Sequence, residues 1–197
     1  DNITMEKSLE QIDKASDRIA KIVLGLRNFS RLEDDGFSNI NVLDPLKESV
    51  DMVKDIFGQS GTNIDFRHPT TFNVVVYGSP GKLQQVFMNL LANSRDATRD
   101  QDDRRICVEL KTCENKAVIS FKDNGTGIPE EVKERIFDPF FTTKGVNEGT
   151  GIGLSIAHSI IKEHGGEIHC ESSQGNGTTF SIELPISKEQ VLEKNSE

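Results

Sequence analysis

Residues 123–129, with the sequence DNGTGIP, place an acid and two glycines directly after a short apolar segment. That segment, residues 117–122, has the alternation of a strand, and Asp123 continues the face that carries Ile119 and Phe121. A carboxylate at the end of a buried row needs hydrogen-bond donors. The two glycines beyond it allow a flat ligand to approach the backbone. Taken alone, however, the segment favours an ordinary turn in which the aspartate bonds its own backbone.

A second polar group lies on a predicted helix over residues 81–98, which Ser79 and Pro80 open as N-cap and first residue. At about 100° per residue, one flank of its apolar stripe collects Lys82, Gln85, Asn89, Asn93 and Asp96. Asparagine is a poor residue inside a helix, so two of them one turn apart suggest a function. Their amide oxygens suit Mg²⁺, whereas a single one would be explained by a solvated face.

A third signal is the glycine-rich segment GTGIG, residues 149–153, directly before a helix predicted over residues 152–164. Backbone amides at such a helix start bind anions, phosphates in particular. The segment is neither a Walker A loop nor a Rossmann fingerprint, because the required spacings are missing. Lys144 offers a nearby cation, and Thr178 a hydroxyl that faces inward beside Phe180. Together the three signals predict a site for a nucleotide whose phosphates are bound with Mg²⁺.

The composition limits the classes of partner. A formal net charge of −9 with no cluster of Lys or Arg argues against a nucleic-acid-binding surface. The hydrophobic content of 35% fits a soluble globular protein, and no run reaches the roughly 18 apolar residues of a membrane span. Three scattered cysteines indicate reduced thiols in the cytoplasm. Because the chain begins with Asp, we expect it to be a piece of a longer protein.

The elements that must position these residues follow from hydrophobic periodicity. Residues 1–32 carry an apolar seven-residue repeat, which predicts one long helix that needs another helix to cover it. A homodimeric helical bundle is our first interpretation, although a helix of the same chain would serve. Beyond it we expect a short strand over 37–42 and a helix capped by Asp44 and running to about residue 57. Further strands are predicted over residues 63–67, 74–77, 105–112 and 116–123, followed by two closing strands.

This alternation of helices and strands, with hairpins in its second half, predicts an α+β fold, a two-layer α/β sandwich and not a doubly wound sheet. Four motifs of the chain match a known family. The chain resembles the catalytic, ATP-binding part of sensor histidine kinases, within the GHKL (Bergerat) ATPase superfamily. The helix 83–97 resembles its N box, residues 123–127 its G1 box, residues 137–140 its F box and residues 149–154 its G2 box. The resemblance implies a long stem helix over 1–33 that is the second helix of the dimerisation and phosphotransfer hairpin. It further implies an ATP-binding domain over 37–186 and a polar tail over 187–197.

The resemblance also implies roles for single residues. Asp123 would bind the adenine amine and Asn93 would be the Mg²⁺ ligand, while residues 137–153 would form a mobile lid over ATP. The residues expected at the catalytic centre are Asn89, Asn93 and Lys144. The ATP-binding residues would be Asn89, Asn93, Asp96, Asp123, Gly125, Gly127, Ile128, Phe137, Lys144, Gly149, Thr150, Gly151, Ile152, Gly153, Leu154 and Thr178.

The chain departs from the family at the phosphate acceptor. None of its four histidines, His68, His158, His164 and His169, lies in an H box on a stem helix, so each is interpreted as an ordinary core or surface residue. We therefore expect the acceptor helix upstream of Asp1 and no autophosphorylation by this chain alone. The implied partners are a second copy of the chain and a response regulator receiver domain. The implied location is the cytoplasm, including the cytoplasmic part of a membrane-bound sensor. A nucleotide-gated switch and a degenerate scaffold kinase remain as alternatives.

Overall fold

The computed structural model describes residues 36–69, 73–144 and 151–187. They belong to one compact unit that begins at Gly36. The stem helix predicted over 1–33 and the tail predicted beyond residue 187 lie outside the described residues.

The described residues form seven strands and four helices in the following order. They are β1 Ser38–Asn41, α1 Leu43–Gln59, β2 Thr62–Arg67, β3 Val75–Gly78, α2 Pro80–Ala97, β4 Arg104–Cys113, β5 Lys116–Asp123, α3 Glu130–Lys133, α4 Gly153–Glu163, β6 Glu167–Ser172 and β7 Thr178–Pro185.

The main sheet has five strands in the order β2-β4-β5-β7-β6. Only the pair β2–β4 is parallel in this sheet, and the other neighbours run antiparallel. Strands β1 and β3 form a separate antiparallel pair. Helices α1, α2 and α4 pack together on the main sheet. The predicted α+β fold with two layers is therefore confirmed.

The strand alternation predicted from the sequence defines the core. On β5, Ala117, Ile119 and Phe121 are fully buried, and Asp123 follows on the same face with 3% of its surface exposed. The helix α2 buries its predicted stripe against them, and the rings of Phe87 and Phe121 lie 5.9 Å apart. The packing of α2 on β5 therefore carries the polar flank of α2 to the end of the strand where Asp123 lies.

The start of α1 differs from the prediction that Asp44 is its N-cap. The helix begins at Leu43, and Asp44 lies in its first turn, where it accepts a hydrogen bond from Asn41 Nδ2 at 3.1 Å. Asn41 Oδ1 instead accepts from the backbone N–H of Leu43 and of Val74. Because proline is tolerated throughout the first helical turn, Pro45 did not fix the helix start to one residue.

His164 is a core residue that joins two helices. Its Nε2 accepts a hydrogen bond from the backbone N–H of Ser79, the N-cap of α2, at 3.0 Å. Its Nδ1 lies 2.7 Å from the carbonyl oxygen of Ile160, which assigns the proton to Nδ1. Burial lowers the pKa of His164, and that is the largest cause of its shift. The interpretation of this histidine as structural is consistent with these contacts.

The last turn of α4 ends in a left-handed glycine. Gly165 has a φ of +67°, and its N–H bonds the carbonyl oxygen of Lys162. The N–H of Gly166 bonds the carbonyl oxygen of Ile161, so the two bonds form a Schellman motif. The predicted end of this helix at about residue 164 is confirmed.

The His164 contact predicts how stability depends on pH. The folded state holds this histidine neutral, with a pKa below that of the unfolded chain, so the unfolded state binds more protons in the window between the two values. Stability is therefore fully present above about pH 6.5 and falls as the pH is lowered towards the folded pKa. We expect the melting temperature of His164→Gln to be lower than wild type at pH 7 and to depend less on pH below it. His169→Gln, at an exposed position, is the control and should keep the wild-type slope. An unchanged slope in His164→Gln would show that another group is responsible.

Candidate functional site

Asp123 is the buried centre of the candidate site. Its Oδ1 accepts hydrogen bonds from the backbone N–H of Gly125 at 2.9 Å and of Thr178 at 3.2 Å. Burial is the largest influence on this carboxyl and raises its pKa, whereas the N–H of Gly125 lowers it. The interpretation of this segment as a turn in which the aspartate bonds its own backbone is therefore correct for Oδ1. The second oxygen, Oδ2, makes no hydrogen bond within the described parts of the chain.

The loop after Asp123 is held by close backbone contacts. The N–H of Thr126 donates to the carbonyl oxygen of Ala97 at 3.1 Å. A Cβ on Gly125 would lie 2.5 Å from the same oxygen, and a Cβ on Gly127 would clash with the carbonyl oxygen of Ser173. Gly127 also has a φ of +70°, which favours glycine. These glycines are thus required for packing of the loop, a reason that the sequence did not indicate.

Thr178 lies opposite Asp123 in the register of β5 and β7 and is 4% exposed. The prediction that it faces inward beside Phe180 is confirmed, since both are buried. Its backbone N–H donates a hydrogen bond to Asp123 Oδ1, and its hydroxyl lies 3.0 Å from Ser172 Oγ. The two strands therefore present a carboxylate and a hydroxyl at the same depth.

Ser172 is a site residue that the sequence analysis missed. Its Oγ accepts from the N–H of Ile128 and donates to the carbonyl oxygen of Gly177, both at 2.8 Å. It therefore fastens the loop after Asp123 to the turn between β6 and β7. A serine before a polar turn gives no sequence signal of this kind, because its partners are distant along the chain.

The flank of α2 forms a second wall. Asn89 Nδ2 donates to the carbonyl oxygen of Gly153 at 3.1 Å, which joins α2 to the first turn of α4. Asn93, one turn later, is half-buried. The predicted position of the asparagine pair between core and solvent is therefore confirmed. Lys82, on the same flank, pairs with Glu163 at the other end of α4.

Asp96 and Lys144 form an ion pair at the end of this flank. Lys144 Nζ lies 2.6 Å from Asp96 Oδ2, and Arg95 lies 3.1 Å from Asp96 Oδ1. The side chain of Asp96 is 12% exposed, and that of Lys144 is 34% exposed. The structure thus brings the predicted cation to α2, although the two residues are far apart in the sequence.

The glycine-rich segment is described from Gly151 onward, and Gly149 and Thr150 lie outside the described residues. Gly151 has a φ of +65°, and a Cβ there would lie 2.5 Å from the backbone of Phe140. Gly153 begins α4, an 11-residue helix whose first turn contains Leu154 and faces Asn89. The unpaired N–H groups of such a turn attract anions.

The aromatic residues before this segment have different environments. The ring of Phe137 contacts His158 on α4 at a centroid distance of 5.4 Å. Phe140 is 76% exposed and has a φ of +66°, and Phe141 lies 4.6 Å from the guanidinium of Arg135. Phe137 therefore packs on α4, whereas Phe140 is presented to solvent.

A shallow cavity of about 490 Å³ lies between α1 and β2, away from these residues. Its lining contains none of the predicted site residues and consists of Lys54, Asp55, Gly58, Gln59, Thr62, Asn63 and Ile64. In the described ranges, no helix has the length and hydropathy required to cross a lipid bilayer.

Comparison with known proteins gives a consistent match. Residues 78–188 match the family described as histidine kinase-, DNA gyrase B- and HSP90-like ATPase. The chain is 32% identical over 185 residues to the two-component sensor PprA of Pseudomonas aeruginosa, covering 91% of this chain and 20% of that protein. It is 32% identical over 190 residues to the sensor protein SrrB of Staphylococcus aureus, covering 92% of this chain and 32% of that protein. It is 44% identical over 118 residues to the sensor kinase CckA of Brucella abortus, covering 53% of this chain and 12% of that protein. The chain thus spans a third or less of these curated relatives.

Among solved structures, the nucleotide-free catalytic domain of histidine kinase ThkA superposes with a TM-score of 0.68 and 31% identity. The match covers 79% of this chain and 99% of that domain. The two-layer arrangement described above is therefore a known fold.

The buried carboxylate predicts an unusual effect of substitution. Since the folded pKa of Asp123 is raised, the folded state binds more protons than the unfolded state above about pH 4, and stability falls as pH rises through that window. We expect Asp123→Asn to have a higher melting temperature than wild type at pH 7, and the difference to shrink towards pH 4. In Asp123→Asn, the amide oxygen can still accept hydrogen bonds from Gly125 and Thr178. Asp123→Ala loses both bonds and should therefore have a lower melting temperature than Asp123→Asn. A lower melting temperature of Asp123→Asn at pH 7 would contradict this account.

Proposed function

The chain belongs to the histidine kinase-, DNA gyrase B- and HSP90-like ATPases, and we propose that it is the ATP-binding catalytic core of a two-component sensor histidine kinase. The observation that carries the proposal is the match to nearly the whole catalytic domain of histidine kinase ThkA. The relatives described above are sensor kinases or sensors, so they do not favour the nucleotide-gated switch.

Adenine would bind at the end of β5. Asp123 accepts a hydrogen bond from the exocyclic amine of adenine, because a carboxylate with two backbone donors on one oxygen keeps acceptor capacity on the other. Thr178 contributes its hydroxyl at the same depth. Gly125, Gly127 and Ile128 shape the wall of this pocket through the loop contacts with Ala97, Ser172 and Ser173.

The phosphates would bind along the flank of α2. The first turn of α4 offers backbone N–H groups, and Lys144 is a cation that the described structure places at the Asp96 end of this flank. Because Asn89 is hydrogen bonded to Gly153, α2 and the first turn of α4 form one continuous wall of the proposed phosphate site. The ammonium of Lys144 is neutralised by Asp96 in the structure and would exchange this carboxylate for a phosphate. Residues 149 and 150 belong to the proposed site from the sequence resemblance alone.

A magnesium ion fits this flank. The amide nitrogen of Asn89 is used by Gly153, which leaves Oδ1 for other contacts, and Asn93 is half-buried one turn away. Neutral carboxamide oxygens beside a phosphate site are the donors that Mg²⁺ accepts together with water. When bound, the ion neutralises charge on the phosphates. Asn93 would hold the ion, and Asn89 would lie beside the phosphates.

The proposed reaction is transfer of the γ-phosphoryl group to a histidine. An imidazole nitrogen attacks the γ-phosphorus, the bond to the bridging oxygen breaks, and ADP leaves. The protein contributes mainly position and charge neutralisation. His164 is excluded as acceptor, because it is buried and both its ring nitrogens are engaged. We place the acceptor on a stem helix outside this chain, and the phosphate is then relayed to a receiver domain.

We further propose that residues 1–33 form part of the stem and pair with a second copy, and that residues 37–186 act in the cytoplasm, where ATP is available. The charge of −9 is consistent with the expected lack of nucleic-acid partners.

Binding of Mg-ADP tests the site. A ligand that binds only the folded state at one hundred times its Kd adds about 2.7 kcal/mol to the free energy of unfolding. We expect Mg-ADP to raise the melting temperature of the wild type and to have no effect on Asp123→Asn, which presents an amide where the amine needs an acceptor. Asp65→Asn, at an exposed position on β2, is the matched control and should show the full shift. The adenine role of Asp123 is wrong if the shift persists in Asp123→Asn.

Phosphate labelling tests the acceptor. With γ-labelled ATP, we expect no acid-labile label on this chain, because none of its four histidines lies in an H box. A longer form of the protein that includes a stem histidine should become labelled. Acid-labile label on the chain alone would refute the assignment, and its site would then be mapped by substitution of His68, His158 and His169.

A further inference from the structure

Ser94 on α2 is a buried hydroxyl whose usual partner is not used. Its side chain is 1% exposed, and its Oγ has no hydrogen-bond partner among the described protein groups. Buried hydroxyls in helices commonly donate to the carbonyl oxygen four residues earlier. Ser49 does so to Pro45 at 2.7 Å, and Thr98 does so to Ser94 at 3.0 Å. Ser94 is therefore an exception within the same fold, and a buried polar group without a partner requires an explanation.

The position of Ser94 connects it with Asp123. Ala97 lies three residues further along α2, on the same face, and its carbonyl oxygen accepts from Thr126 in the loop after Asp123. Gly125 packs on the same carbonyl group. The last turns of α2 thus lie against the Asp123 loop. The proximity of the Ser94 hydroxyl also lowers the pKa of Asp123, although it does not complete a hydrogen bond in the structure.

The remaining hydrogen-bonding capacity of the two groups is complementary. Asp123 Oδ1 is occupied by the N–H groups of Gly125 and Thr178, so new contacts fall to Oδ2. A serine hydroxyl can donate one hydrogen and accept another. An amine attached to a ring has two hydrogens and needs two acceptors.

We propose that Ser94 is a further binding residue of the base site, and that Ser94 and Asp123 together bind the exocyclic amine of adenine. In the bound state the Ser94 hydroxyl donates to Asp123 Oδ2, and its oxygen accepts one amine hydrogen. Asp123 accepts the other. This inference rests on the proposed ATP-binding function and adds a residue to it.

The arrangement has a consequence for base selection. A purine without the exocyclic amine leaves the Ser94 oxygen without a donor and Asp123 Oδ2 with the Ser94 hydroxyl alone, which disfavours its binding. A purine with a carbonyl oxygen at that position faces a carboxylate with another acceptor. Ser94 therefore increases the preference for adenine beyond what Asp123 supplies by itself.

The experiment compares two nucleotides on two variants of the full chain. Dissociation constants for Mg-ADP and for purine riboside diphosphate, which lacks the amine, are measured by calorimetry on wild type and on Ser94→Ala. We expect Ser94→Ala to bind Mg-ADP about 5-fold to 10-fold more weakly, the effect of one hydrogen bond. Binding of the amine-free nucleotide should change by less than about 2-fold, because it makes no such bond. Ser94→Cys, which replaces the hydroxyl with a somewhat larger thiol that hydrogen bonds weakly, should show the same difference.

Stability separates binding from a structural role. Ser94→Ala removes a hydroxyl without a protein partner, so the melting temperature without ligand should be equal to or above that of wild type. Ser49→Ala is the matched control, since Ser49 is also 1% exposed in a helix but is hydrogen bonded. It should lower the melting temperature and leave both dissociation constants unchanged.

The outcomes that overturn the inference are distinct from those that overturn the proposed function. Unchanged binding of Mg-ADP by Ser94→Ala, or an equal loss for both nucleotides, refutes the role of Ser94 while ATP binding stands. If the wild type does not bind Mg-ADP, or does not prefer it to the amine-free nucleotide, the proposed function fails and the role of Ser94 fails with it.

Discussion

The hydrogen bonds to Asp123 Oδ1 are the interaction on which the site depends. They fix the loop after β5 through Gly125 and the start of β7 through Thr178. A carboxylate that is 3% exposed is stable there only because backbone donors meet it. Since one oxygen carries both bonds, the same group organises the protein backbone and keeps an acceptor for a ligand.

Helix α2 contacts both the loop after Asp123 and the first turn of α4. Ala97 contacts the loop beyond Asp123, whereas Asn89 contacts the first turn of α4. In the proposed complex, the base and the phosphates of the nucleotide would therefore meet different turns of one helix. The buried stripe of α2 packs on Phe121 and holds these turns against the main sheet.

The sequence predicted those features that follow from local periodicity. The alternation on β5 correctly placed Asp123 in the core, and the helical flank correctly grouped Asn89, Asn93 and Asp96. It missed Ser172 and Ser94, because their roles depend on strands and helices that are distant along the chain. It also gave Asp44 a capping role, whereas Val42 is the N-cap and Asp44 lies in the first turn, since the first-turn proline is compatible with more than one helix start. Long-range packing decided the two serine cases, and a single sequence does not encode it in a readable pattern.

The two ends of α4 are held by different kinds of contact. Its last turn is fixed by the buried ring of His164, by the ion pair of Lys82 with Glu163 and by two backbone bonds of the glycine pair. Its first turn is joined to α2 by the side-chain amide of Asn89, a bond whose net value is about 1 kcal/mol. A contact of this strength costs little to exchange, so the first turn of α4 can accept a new partner while the buried residues of the helix stay packed. An anion bound at the first turn, as proposed, would therefore not require the core of the helix to move.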